Sequence, residues 1–194
     1  MMAASRHDDE TRNPLPWARL RLLATRLIES VGEAKLDSAD ETWARSVLTP
    51  AEFDLWQGLS AYDRCHAVRV ARKVERRLAP TAHGNDTVWA GAALMHDVGK
   101  VASDLAMHER VVATLASRVV GVATARRWAR SATGAKRRIG SYLIHGEIGA
   151  GLIRAAGGRE EVAAWTEVHQ DHRAFGTVGL PPLVVEALLD SDVG

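Results

Sequence analysis

Cysteine is nearly absent from this chain of 194 residues: Cys65 stands alone. A single thiol excludes a disulfide framework and any cysteine-based zinc knuckle. Phenylalanine and tyrosine are scarce, two of each, beside six prolines. That composition argues against a sandwich of many short strands. No run of about 18 apolar residues free of charge occurs, so no transmembrane helix is expected. Met1 to Asn13 is polar and contains His7, Asp8, Asp9 and Glu10. With no apolar stretch there, it does not read as a secretory signal. The expectation is a cytoplasmic protein with a flexible tail over residues 1–14 and one domain over 15–194. What the chain has in quantity is histidine, eight residues in all. Any bound metal must therefore be held by nitrogen and oxygen.

A balance of 46% apolar and 25% charged residues, with a net charge of +1, suits one soluble domain able to bury its own core. The small net charge hides an asymmetry. Residues 29–63 carry eight acids against Lys35 and Arg45. Residues 110–138 carry eight bases (Arg110, Arg118, Arg126, Arg127, Arg130, Lys136, Arg137, Arg138) and no acid. Such a block is more often a solvated helix face than a phosphate, nucleic-acid or membrane-surface patch.

The apolar spacing reads as helical throughout. Helices are expected over Leu15–Val31, Ser38–Leu48 and Ala51–Gln57, then over a long segment capped by Ser60 and running to Leu78. Asp63, three residues after Ser60, resembles a capping-box acid. A loop follows from Pro80 to Asn85. A strongly apolar helix runs to Val98, with Gly99 as its stop. Two helices broken near Gly121 fill 103–133. Others are expected over Ser141–Ala156, over Arg159–Arg173, and from Pro181-Pro182 to Asp192. The three N-terminal helices carry Trp17, Trp43 and Trp56, expected to face inward.

The chemistry sits on these apolar faces. His96 and Asp97 end a helix that is apolar all round. Burying such a pair unpaired costs roughly several kcal/mol, which a divalent cation or a mutual hydrogen bond offsets. His66 lies where an apolar face (Ala67, Val70, Val74) meets a basic one (Arg69, Lys73, Arg77). His145 shares a face with Ile148, Gly149 and Leu152, and His169 shares one with Val162 and Trp165. Asp192 falls on the Val185, Leu188, Leu189 face, whereas Asp190 falls on the wetter face of Glu186. Any one of these residues is more often a satisfied polar group than a ligand. Five together on five helices are harder to dismiss.

From about Ser60 to Asp192 the chain resembles the HD-domain superfamily of metal-dependent phosphohydrolases. The resemblance rests on an ordered set. Arg64-Cys65-His66 opens it. Ala92-Ala93-Leu94-Met95-His96-Asp97-Val98-Gly99-Lys100 is similar to the defining stretch. His145-Gly146-Glu147-Ile148-Gly149-Ala150, His169 and Ala187-Leu188-Leu189-Asp190-Ser191-Asp192 complete it. The resemblance implies an all-α, HD-like helical bundle with its core over about 60–192; the extra N-terminal helices fall outside it, and the basic helical insertion is read over about 103–140. The resemblance also implies one divalent metal (Mn, Fe, Ni, Co, Mg or Zn) on His66, His96, Asp97 and Asp192. Asp97 and Lys100 would be the catalytic pair, Lys100 contacting or balancing phosphate. His145 and His169 would back the ligands, contact phosphate or hold a second metal. The substrate implied is a phosphate mono- or diester, most often a nucleotide.

Departures narrow that expectation. The branch that cleaves cyclic dinucleotides carries an acid where this chain has Tyr62, a second histidine where it has Gln170, and a GYP motif where it has Gly179-Leu180-Pro181. One metal is therefore expected rather than two, with His172 a weak substitute ligand. Forty-seven residues separate Asp97 from His145, and the excess is the basic stretch, read as a lid over substrate phosphates or a partner surface. Two other classes remain: a degenerate HD domain that binds a nucleotide or signalling ligand without hydrolysis, and a basic nucleic-acid or membrane-surface module. Ligand binding that survives chelation marks the first, and steeply salt-dependent binding marks the second. His7, His83 and His108 are expected to lie outside the site.

Overall fold

A computed structural model describes residues 36–192 apart from 117, 118 and 172. The expectations for the tail, for the helix from Leu15, for Trp17 and for His172 fall outside the described residues. Among those described, the chain forms ten α-helices, two short 3-10 turns and no strand. An all-α fold is what the apolar periodicity predicts.

The first helices start where side chains satisfy the free amides of a first turn. The Asp37 carboxylate accepts from the Ala39 amide to open α1 (Ser38–Val47). Thr49 and Glu52 form a reciprocal capping box on α2 (Pro50–Gln57), with Pro50 at its first position. Ser60 caps α3 (Ala61–Leu78) by accepting from the Asp63 amide. α4 (Thr87–Met95) is buried from Trp89 to Met95, as an apolar face on every side requires. It lies against α1, α3 and α9 (Glu160–Val168), and α10 (Pro182–Asp192) lies along α3. The core around α4 holds Phe53, Trp56, Val74, Leu94, Met95, Ile153, Val162 and Leu188, each no more than 1% exposed. Each large side chain so buried contributes roughly 1.5–3 kcal/mol relative to exposure. Trp56 faces inward as expected, and Trp43 is half-buried.

Three helix ends differ from the sequence reading, and each difference places a histidine. α4 stops at Met95 rather than running on to Val98; His96 is its C-cap, Asp97 turns the chain, and a 3-10 turn follows over Val98–Ala102. Gly99 is the reason the turn fits. A Cβ there would overlap the His145 carbonyl and sit 2.6 Å from the Gly149 amide. The helix expected from Ser141 is instead two, α7 (Gly134–Leu143) and α8 (His145–Ala155), broken at Ile144 with φ −117° and ψ 26°. α9 ends at Val168, with His169 as its C-cap, not at Arg173. Periodicity reports a buried face but not a corner made by tertiary contact.

The insertion comprises α5 (Met107–Ala116), α6 (Val122–Ser131) and α7. α6 and α7 meet closely at Gly140, where a Cβ would press on Ala125, Trp128 and Ala129. Three of its arginines are held by acids: Arg110 by Asp63, Arg126 by Glu147 and Arg138 by Glu109. Those three are tied to the protein itself, whereas Arg127, Arg130, Lys136 and Arg137 are exposed. On the far side of the core, Glu52 is fully buried and takes Nε and Nη2 of Arg159, with Nη2 at 2.6 Å. That pair ties α2 to the start of α9. No helix among the described residues is long and apolar enough to cross a membrane.

Candidate metal site

Six side chains from five elements converge: His66 of α3, His96 and Asp97 at the end of α4, His145 of α8, His169 at the end of α9 and Asp192 of α10. Their donor atoms form two sets of three, His66 with His96 and Asp192, and Asp97 with His145 and His169. Within each set the atoms lie within 4.8 Å of one another. The six residues named from the sequence are therefore together, and Asp97 sits between the sets, 3.3 Å from Nε2 of His96 and 2.9 Å from Nε2 of His145. His66 Nε2 lies 3.2 Å from Asp192 Oδ1, and His96 Nε2 lies 3.5 Å from the same oxygen. His169 Nε2 is 3.9 Å from Asp97 Oδ1. Asp190 is turned away and takes Arg77 at 2.7 Å, so Asp192 is the aspartate at the cluster.

Three of the histidines are fixed by one device. The Nδ1 of His96 lies 2.7 Å from the Ala93 carbonyl, that of His145 2.7 Å from the Tyr142 carbonyl, and that of His169 2.8 Å from the Thr166 carbonyl. Each ring thus donates Nδ1–H to the carbonyl three residues back, at a helix end where carbonyls lack intrahelical partners. In the neutral ring the lone pair is then on Nε2, which points into the cluster; a second proton makes that same nitrogen a donor. This explains why the helices end where they do. Each histidine occupies a corner, so its ring can fold back on the helix that precedes it and aim Nε2 into the cluster.

Lone pairs aimed at carboxylates repel unless a proton or a metal cation lies between them. His96 Nε2 is buried, makes no hydrogen bond, and is still only 3.3 Å from Asp97 Oδ2. Such an atom needs an explanation, and a cation supplies one. The donor set, imidazole nitrogens and carboxylate oxygens with no thiolate, suits first-row divalent ions. Without a metal, a proton takes that place. Burial pushes His96 down, but the charges of Asp97 and Asp192 outweigh it and hold its pKa at about 9. Burial pushes Asp97 up, and the charges of His96 and Lys100 bring it well below the usual carboxylate range. Asp192 is likewise lowered, with burial opposed by the His66 hydrogen bond and the His96 charge. His169 goes the other way, to about 3, through burial and the neighbouring His145 and His96. The cluster thus holds positive charge at His96 and a neutral donor at His169.

The Lys100 ammonium lies 2.5 Å from Asp97 Oδ2 and 3.8 Å from Asp63 Oδ1. A cavity of about 440 Å³ opens over the cluster, with Lys100, Thr114, Tyr142, Leu143 and Gln170 in its walls. Its accessible side is that of His66 and Asp192, whose side chains are 25% and 37% exposed. A larger cleft of about 860 Å³ adjoins it across Leu143 and Gln170. Thr114 and Tyr142 carry no signal in the sequence reading, and Gln170 enters it only as the residue in place of a second histidine. Only Tyr142 and Gln170 lie beside recognisable site residues, and Thr114 reaches the cavity from a helix with no motif at all. His83 lies elsewhere, paired with Asp86 at 3.3 Å and packed edge-on against Trp89. No protein-family model matches this chain, and no match was found among curated proteins or among solved structures.

Proposed function

We propose that the chain is a metal-dependent phosphohydrolase acting on a phosphate mono- or diester, with nucleotides the leading substrate class. The observation that carries this reading is the convergence of four imidazole Nε2 atoms and two carboxylates, with a buried Nε2 of His96 left without a hydrogen bond. His66, His96, Asp97 and Asp192 would hold one divalent ion. When bound, such an ion lowers the pKa of a water and offsets charge on a phosphoryl group.

The protein's own residues then have definite tasks. Lys100 offers an ammonium at the cavity wall for a phosphate oxygen, and Asp97 keeps it there. His145 Nε2 lies 2.9 Å from Asp97 Oδ1, while Oδ2 faces Lys100 and His96. His169, neutral and buried, offers a lone pair at the inner end of the cavity. The adjoining cleft, with Val120, Ala125, Leu143, Ile144, Val168 and Val178 in its walls, gives room to the organic part of the ester. Cytoplasmic location and a small-molecule substrate belong to the same proposal. The resemblance of the sequence motifs to HD domains supports it through the same residues, His66, His96, Asp97, His145, His169 and Asp192.

The test is elemental analysis of the purified chain, followed by a screen of phosphorylated nucleotides against several divalent metals. Metal-stimulated phosphate release that chelation and Asp97→Ala both abolish is the expected result. Absence of bound metal together with absence of phosphate release overturns the reading.

A further inference from the structure

Asp63 has no place in the metal cluster, yet it is one of the most deeply buried charges in the protein, 1% exposed. It stands in the first turn of α3, where a helix dipole favours a carboxylate. Capping alone would use it locally. Its carboxylate does accept from the Ser60 hydroxyl at 2.6 Å. The rest of its capacity goes to distant cations. Arg110 Nη1 donates to both oxygens, at 2.8 and 2.7 Å, across 47 positions of sequence. Lys100 Nζ lies 3.8 Å from Oδ1.

Arg110 belongs to α5, the first helix of the insertion. Among the described side chains of that helix, Ala113 is fully buried and Val112 is 56% exposed. α5 rests on α7, helped by Glu109 and Arg138 at 2.6 Å. Its ion pair to the core runs through Arg110 and Asp63. One helical turn beyond Arg110, on the same face, Thr114 donates its hydroxyl to the Arg110 carbonyl and lines the cavity over the cluster. Where Arg110 is held therefore decides where that wall stands. The same carboxylate also lies beside the lysine proposed to meet phosphate.

We propose that Asp63 is a positioning residue, whose carboxylate latches α5 over the metal cavity through Arg110 and shares the Lys100 ammonium with Asp97. The basic insertion is then a fixed wall of the cavity. Its first arginine serves the protein's own fold and leaves phosphate to Lys100. The part concerning phosphate rests on the phosphohydrolase reading; the latch does not. Because a single guanidinium nitrogen, Nη1, meets the carboxylate, a lysine at position 110 can replace it in charge, whereas a glutamine cannot.

The experiment uses the full chain with Asp63→Asn, Arg110→Gln and Arg110→Lys. Three quantities are read: amide hydrogen exchange, Mn²⁺ affinity, and the affinity of the Mn²⁺-loaded protein for inorganic phosphate. Asp63→Asn and Arg110→Gln are expected to speed exchange in residues 107–116 at least tenfold and to leave α4 and α9 within twofold. Mn²⁺ affinity stays within twofold, since no cluster residue is touched. Phosphate binding weakens at least fivefold in Asp63→Asn, and Arg110→Lys restores slow exchange. Unchanged exchange in α5, or equal loss of protection throughout the protein in both variants, overturns the latch. Unchanged phosphate affinity in Asp63→Asn overturns the positioning of Lys100. If the unaltered protein binds neither Mn²⁺ nor phosphate while α5 behaves as expected, the phosphohydrolase reading falls and the latch stands.

Discussion

Raising the pH from 7 to 9 should tighten metal binding about fiftyfold. His96 holds a proton with a pKa of about 9 in the metal-free protein because Asp97 and Asp192 surround a buried ring. A metal ion at Nε2 must displace that proton. At pH 7 the displacement opposes binding by about 3 kcal/mol, two pH steps at 1.36 kcal/mol each. Affinity should therefore rise roughly tenfold per pH step well below about 9 and level off as pH passes through that value. The same proton stabilises the metal-free fold, because the folded protein keeps it where the unfolded chain has lost it. That stabilisation is complete below pH 6.5 and disappears as pH passes through about 9. Its loss amounts to about 3 kcal/mol, which lowers Tm by roughly 6–12 °C in a domain of this size. Calorimetric titration with Mn²⁺ at several pH values, and thermal unfolding with and without metal, measure both effects. Metal-loaded protein should show little of the Tm decline. Tight binding with flat affinity between pH 7 and 9, together with a flat metal-free Tm, would refute the assignment of the proton to His96 and its competition with metal.

Other substitutions probe separate parts of the fold and site. Asp97→Ala should remove the bound metal, about one ion per chain in the unaltered protein by elemental analysis, because Asp97 stands between both donor sets. Glu52→Gln should destabilise the protein by about 3–5 kcal/mol in urea unfolding, since it leaves the Arg159 guanidinium without its buried carboxylate; replacing both Glu52 and Arg159 with apolar residues should cost less. Burial pushes Glu52 up, but its bonds to Arg159 outweigh this and lower its pKa, so this contribution should be present above pH 4.5 and fade as pH falls further. Gly99→Ala should lower Tm sharply and abolish metal binding, because the added methyl overlaps the His145 carbonyl and crowds the Gly149 amide; unaltered stability would show that the close approach of the 3-10 turn to α8 is not required.

Much of the site was legible because its residues interrupt apolar faces. His96 and Asp97 end a helix with no polar side, and that contrast is visible in ten consecutive residues. His145, His169 and Asp192 each stand at helical spacing from large apolar neighbours. The helix corners were less legible. Nothing local distinguishes the end of α4 at Met95 from its continuation to Val98, or the break at Ile144 from an unbroken helix. These corners exist because His96 and His145 fold back onto carbonyls three residues earlier and because Gly99 meets α8, a contact between distant segments. The basic block was legible as charge but not as use, for the acids that take Arg110, Arg126 and Arg138 come from α3, α8 and the start of α5.

The sequence by itself determined the secondary structure class, the buried α4 and the set of residues able to bind a metal, because apolar period and donor chemistry are local properties of the chain. Tertiary structure alone decided how those donors group, that Asp97 stands between two histidine sets, and that Asp63 binds the insertion rather than a ligand. His66 and Asp192 are 126 positions apart yet 3.2 Å from each other. Their meeting depends on how α3 packs along α10, a choice made by the shapes of buried side chains and not by any spacing along the chain.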